Sequence, residues 1–253
     1  MEAVSAHNGD IHTLLSSAYG DFSQGNLEEG IRKLEGALAG DFDNAEVVAS
    51  LKCAHYWRDR FATAAERTDR FEKAEYLINQ WKGFLTFSTR SGCESDRCVA
   101  SLKQLVFKTG LECYESLLEG HSSAGKDADI LYRIGTCYKG LGSYDKALQY
   151  LDAANQAKKD QAEILAGLAD CYALINEIQI SKVFFREAFF LNPQAIDFES
   201  LESAMIRRLL AKIRESGYEG PEAAEWLPVY GVLYGVFSVR RELRSIEYGK
   251  LRQ

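Results

Sequence analysis

A chain of 253 residues with 46% apolar and 26% charged residues has the balance of an ordinary soluble globular protein and is not a disordered chain. It has room for one repeat array or two domains. Its formal charge of −7 repels phosphate backbones, which excludes nucleic acid as an expected partner.

The N-terminus, MEAVSAHNGD, is polar, lacks the layout of a signal peptide and reads as a loose end. Residues 11–44 carry Leu14, Ala18, Gly25, Leu34 and Ala37 at helical spacing, as two helices about a turn. Asp43 with Glu46 reads as a capping box opening a helix that holds Val48, Leu51 and His55. Its partner, around Phe71 to Gly83, starts late, so the turn between them is stretched. Residues 84–95 (FLTFSTRSGCES) read as a loop, and residues 96–119 as one long helix with Leu102, Leu105, Val106, Cys113, Tyr114 and Leu117 on one side.

Gly120 to Asp127 nearly spells a phosphate-binding loop. Asp127, however, stands where a magnesium-holding hydroxyl belongs, and the segment follows a helix rather than a strand, so it reads as a connector. Residues 128–161 and 162–195 then match each other at a period of 34. Leu131 falls on Leu165, Ile134 on Leu168, Gly135 on Ala169, Cys137 on Cys171 and Tyr138 on Tyr172. Ala147 falls on Ser181, Leu151 on Phe185 and Ala154 on Ala188, and the second copy closes at Pro193. Each copy reads as two helices. Gly140 and Gly142 stop the first helix of the earlier copy, Ser143 caps its second, and Asn176 with Gln179 reads as a capping box in the later copy.

Residues 197–216 read as a further amphipathic helix, with Phe198, Leu201, Met205, Leu209 and Ile213 on its apolar side. Pro221 opens another helix, which Pro228 kinks or restarts. The stretch Trp226 to Phe237 is apolar nearly all round but shorter than the ~18 residues of a membrane span. It reads as an end cap or as a docking surface. Arg240, Arg241, Arg244, Lys250 and Arg252, interrupted by Glu242 and Glu247, read as a solvated helix face.

With Gly135, Ala147 and Ala154 small and Leu131, Ile134, Tyr138 and Leu151 large, and with Ala169, Tyr172, Ala188 and Pro193 in register one period on, the chain resembles the tetratricopeptide repeat family. The resemblance is closest over 128–195 and weaker over 11–83, where two divergent repeats fit and Asp21 takes the place of the usual aromatic, leaving Tyr19 or Phe22 to stand in. It implies an all-α chain. Residues 1–253 would form a single right-handed superhelical array of antiparallel helix hairpins, an α-solenoid, with a loop and inserted helix over 84–126 and capping helices over 196–253.

In that family the first helix of each hairpin lines a concave groove that holds a partner segment. Carried over position by position, the groove residues are Tyr132, Arg133, Thr136 and Lys139, then Glu163 and Asp170, with Tyr56 and Trp57 upstream. The branch that grips chaperone C-termini uses an asparagine-containing clamp. No asparagine stands at the matching places here, and Asp170 would repel a carboxylate.

No catalytic, cofactor-binding or metal-ligating pattern emerges. The four histidines are scattered, with His7 and His12 at no ligand spacing, and none of the six cysteines forms a CxxC pair. Unpaired cysteines and the absence of a leader point to the cytoplasm. The functional expectation is a non-enzymatic adaptor binding a protein or peptide. Self-assembly into a homo-oligomer through the apolar C-terminal stretch is the alternative, and an enzyme using the 120–127 loop comes behind it.

Overall fold

A computed structural model describes residues 2–93, 95–120 and 127–238, with side chains from residue 11 onward except at 119 and 120. Among these residues the chain is helical, with α1 (Glu2–Gln24), α2 (Leu27–Gly40), α3 (Ala45–Ala65), α4 (Arg70–Arg90), α5 (Asp96–Gly120), α6 (Ala128–Gly140) and α7 (Tyr144–Ala157). After these come α8 (Ala162–Leu174), α9 (Ile178–Leu191), two 3-10 turns (Pro193–Ala195 and Phe198–Ser200), α10 (Ala204–Glu215) and α11 (Gly220–Leu233). The chain divides into two compact units, Met1–Ala154 and Asn155–Gln253, a division the repeat frame does not anticipate.

One local rule builds three of the hairpins, α1–α2, α6–α7 and α8–α9. The first helix ends in a residue with positive φ: Gly25 (95°), Gly142 (75°) and Asn176 (66°). The next backbone N–H then reaches back to the carbonyl five residues earlier: Asn26 to Asp21 (2.9 Å), Ser143 to Tyr138 (2.9 Å) and Glu177 to Tyr172 (2.8 Å). This is the Schellman closure, which needs a glycine or an asparagine because other side chains clash in the left-handed region. Asn176 is therefore a helix stop rather than half of a capping box, and Glu177 precedes α9 with no side-chain cap.

The two helices of each hairpin then cross through small residues. A Cβ on Gly30 would lie 2.3 Å from Cε1 of Phe22 and 2.9 Å from the carbonyl oxygen of Ala18, and one on Gly135 would lie 2.7 Å from Cγ of Leu151. Ala18, Ala37, Ala147, Ala154, Ala169, Ser181 and Ala188 are all sealed from solvent at the same crossings. The bases of the later hairpins are stacked aromatic pairs, Tyr138 on Tyr150 (5.4 Å between ring centres) and Tyr172 on Phe184 (5.6 Å). In the first hairpin the matching pair is ionic, with Lys33 Nζ 2.5 Å from a carboxylate oxygen of Asp21. Tyr19 and Phe22 are both buried beside it.

Several boundaries differ from those expected. Helix α1 already runs from Glu2, where a loose end was expected. Helix α3 is capped by Asn44, whose side chain accepts from Val47 N, instead of by Asp43 with Glu46. Helix α4 continues to Arg90 through most of the expected 84–95 loop. Its buried row, Leu77, Trp81, Phe84 and Ser88, keeps helical spacing, and the Ser88 and Thr89 hydroxyls both donate to the Leu85 carbonyl, which absorbs their polarity inside the helix. Helix α10 starts at Ala204 instead of 197, because the Asp197 side chain accepts from Glu199 N and winds Phe198–Ser200 into a separate 3-10 turn.

The first unit departs from nearest-neighbour stacking. Helix α5 packs on α4 and α6, as a repeat array requires, but also on α1. Arg97 Nη2 donates to Ser16 Oγ (3.2 Å), and its guanidinium stands 5.9 Å over the Tyr19 ring. Tyr19 in turn shares a 2.8 Å hydrogen bond with Ser50 of α3. The five N-terminal helices therefore enclose a common core, with Phe22, Trp57, Phe84, Leu77 and Leu102 fully buried.

In the second unit, α8 and α9 pair, α10 and α11 pair, and α11 reaches α9. Pro221 opens α11, which continues through Pro228, and Phe237 folds back onto Gly231 and Phe189. A Cβ on Gly231 would lie 2.1 Å from the Phe237 ring, so this glycine serves packing within the chain.

Ala147→Leu is expected to overpack the α6–α7 crossing and cost about 1–3 kcal/mol. Chemical denaturation checks this against Ala39→Leu on the exposed side of α2, which should leave the midpoint unchanged.

Candidate functional site

The residues expected to line a groove split between the units and differ sharply in exposure. Trp57 on α3 is wholly buried. It stacks on Trp81 (5.9 Å, 22°) and meets Phe84 at 5.3 Å, so it glues α3 to α4 and is withdrawn from any partner. Tyr56 is half-buried. It packs on Phe87, its hydroxyl donates to the Gln80 carbonyl (3.4 Å), and the Arg60 guanidinium lies 3.2 Å over its ring.

On α6, Tyr132, Arg133 and Thr136 are half-buried and Lys139 is buried. Thr136 Oγ1 donates back to the Tyr132 carbonyl, and Arg133 Nε pairs with Glu75 of α4 at 2.9 Å. Glu75 also accepts a short hydrogen bond from the Tyr114 hydroxyl of α5, so it ties α4, α5 and α6 together. Burial, and then the Glu75 carboxylate, push the Tyr114 hydroxyl far above its ordinary range and keep it a neutral donor. Tyr138 does the same with Glu115 (2.7 Å), whose hydrogen bond raises it to about 12. Periodicity exposes none of these carboxylate partners, because each lies on a different helix.

In the second unit, Glu163 is half-buried and Asp170 fully buried. Asp170 is not a groove residue. Its carboxylate accepts from Glu202 N (2.9 and 3.1 Å to its two oxygens) and from Ser203 N (2.7 Å), where the chain turns into α10. An aspartate there satisfies the N–H groups of the N-cap residue and of the residue before it, ahead of a helix whose dipole favours its charge. The signal for this was in the sequence, as an acid set among the alanines and leucines of the later half of α8, but its partner lies more than thirty residues away.

The first unit also carries an open cleft of about 960 Å³ that was not foreseen. It is walled by the α1–α2 turn, the start of α2, the later half of α3 and the middle of α5. Leu27, Phe61 and Leu105 supply its apolar surface, and Arg32, Arg58, Lys108, Glu28 and Glu112 stand around them. Arg32 pairs with Glu29 and Arg58 with Asp59 (3.9 Å), and Arg32, Arg58 and Lys108 are all exposed. A shallow apolar strip with charges of both signs suits an extended polypeptide better than a small enclosed ligand.

The sequence-stretch 120–126 that nearly spells a phosphate loop, His7 and His121, and the basic residues from Arg240 to Arg252 lie outside the residues whose side chains are described. Asp127, at the end of that stretch, caps α6 by accepting from Asp129 N (3.0 Å) and Ile130 N (3.4 Å). His55 is half-buried on α3.

Asp170→Ala removes the acceptor from two backbone N–H groups, each costing about 1–3 kcal/mol when left unpaired. A fall in the denaturation midpoint, partly restored in Asp170→Asn, is the expected result.

No protein-family model matches the chain, and no curated protein matches it.

Proposed function

We propose that this chain is a non-enzymatic adaptor of the tetratricopeptide type, working in the cytoplasm, that holds a segment of a partner protein. The observation that carries this reading is the threefold use of one hairpin: small residues at the crossing, a left-handed residue at the turn, and a paired contact at the base. Folds of this kind present helix faces at fixed spacing, which suits recognition of an extended chain or a helix. The cleft of the first unit is the place for it. Half-buried Phe61 offers an apolar anchor point, and Arg58 and Lys108 offer two cations that attract acidic side chains flanking an apolar residue. The reading assigns no catalytic group and no cofactor. No helix among the described residues is long and apolar enough to cross a membrane.

A second reading is favoured by one observation. Val229, Val232 and Leu233 on α11 and Tyr234 just after it are 49–73% exposed, an apolar strip that a second copy of the chain would cover. Light scattering across a concentration series separates the two: a strict monomer removes self-assembly.

For the adaptor, the double variant Arg58→Glu with Lys108→Glu should keep its circular dichroism and lose at least about tenfold in affinity for a co-purifying partner, the equivalent of 1.4 kcal/mol. Unchanged capture by that variant would move the site away from the cleft.

A further inference from the structure

Four aromatic side chains of the second unit meet on its surface. Trp226, Tyr230 and Tyr234 follow one another every fourth residue along α11 and its C-cap, so the helical repeat lines them up at about 6 Å per step. Tyr218 joins them from the turn between α10 and α11. There Gly217, with φ of 92°, lets Tyr218 N reach back to the Ile213 carbonyl (3.3 Å), the same closure that ends the first helix of each hairpin.

The rings hold one another in place. Tyr218 stacks on Trp226 (4.8 Å, 26°), Tyr230 meets both edge-on (77° and 88°), and Tyr234 leans on Tyr230 (5.9 Å). Tyr218, Trp226 and Tyr230 are half-buried against the core of the unit, and Tyr234 is exposed. Another side of α11 fills that core, through Ala223, Ala224, Leu227 and Gly231.

The polar tips of the row are unused. The three phenol hydroxyls and the Trp226 indole N–H form no hydrogen bond with a described residue, and those of the half-buried rings still reach solvent. Glu219, next to Tyr218, and Glu222, one turn before Trp226, are exposed and form no ion pair among the described residues.

These features limit what can cover the ridge. A docked helix keeps its carbonyls bonded along its own length, so it would bury the hydroxyls and the N–H without acceptors. A second copy in a two-fold pair would set the face against itself, with the same donors and the same two acids on both sides. A polyproline II chain differs from both. Its carbonyls are free, its prolines carry no competing N–H, and its flat apolar rings pack on aromatic side chains. At about 3.1 Å per residue, some four residues of it span the roughly 12 Å from Trp226 to Tyr234. Ligand and ridge are both held in shape beforehand, so little freedom is lost on binding. The acids at the Trp226 end favour a cation beside the prolines.

We propose that the ridge of Tyr218, Trp226, Tyr230 and Tyr234 binds a proline-rich segment in the polyproline II conformation, with a lysine or arginine of that segment paired to Glu219 or Glu222. This site is additional to the adaptor cleft and rests on nothing in the first unit.

The test titrates the full chain into a fluorescein-labelled oligoproline peptide that ends in one arginine, read by anisotropy. A glycine–serine peptide of equal length with the same arginine is the control. The oligoproline peptide should bind saturably and the control at least about tenfold more weakly. Tyr234→Ala and Glu222→Lys, both at exposed positions, should keep the circular dichroism and each weaken binding at least about fivefold. Arg58→Glu with Lys108→Glu should bind like the parent chain, which separates this site from the cleft. A second measurement uses intrinsic fluorescence. Trp57 and Trp81 are buried, so an unlabelled peptide should change the tryptophan emission of the parent chain and leave that of Trp226→Phe unchanged. No saturation at millimolar peptide, equal binding of the two peptides, or affinity unchanged in both Tyr234→Ala and Glu222→Lys would each overturn the proposal. So would a dimer, seen by light scattering, that Tyr234→Ala dissociates, since a second copy would then hold this face.

Discussion

The close crossing of two helices within a hairpin is the constraint on which the described architecture rests. At Gly30 and Gly135 the opposing side chain, Phe22 or Leu151, occupies the space a Cβ would take. Helices that approach this closely exclude water from the shared face, so the large residues on either side of the crossing fill the remaining volume at crystal-like density. The turn follows from the crossing, because two antiparallel helices at that separation must be joined within a few residues. A left-handed residue at Gly25, Gly142 or Asn176 reverses the chain in the least length while satisfying the last carbonyls of the first helix.

The base of the hairpin tolerates more. Tyr138–Tyr150 and Tyr172–Phe184 stack, while Asp21–Lys33 at the matching place is an ion pair. A half-exposed contact between neighbouring helix ends needs only complementary partners of similar reach, and either an aromatic stack or a charge pair meets that need. The central crossing has no such latitude, because only the smallest side chains fit there. This is why the small positions kept the frame legible in 128–195 and, through Ala18, Gly25 and Ala37, in 11–44, although the aromatic at residue 21 was missing.

What was illegible came from long-range packing. Helical spacing identified the apolar side of α5, but on α3 it picked Val48 and His55, which are half-buried, while Val47, Cys53, Ala54 and Trp57 hold the core, and spacing says only that a face is covered and not by what. Trp57 could serve a groove or a core, and the Trp81 and Phe84 rings decided for the core. Asp170 read as an acid facing a ligand until the N–H groups of Glu202 and Ser203 supplied its partners. Helix α4 outran its expected end because a segment rich in Ser, Thr and Phe has weak intrinsic helix preference, and the burial of Phe84 overrode it. The return of α5 onto α1 left no trace in the repeat arithmetic, since a period describes neighbours only.

That return of α5 gives the first unit its chemical character. An open stack would leave α3 and α5 with a hairpin partner between them and no shared surface. Here Phe61 of α3 and Leu105 of α5 line the same open cleft, and the α1–α2 turn closes its other side. The apolar surface and the charges of that cleft are drawn from four helices far apart in sequence, an arrangement that no single helix period encodes.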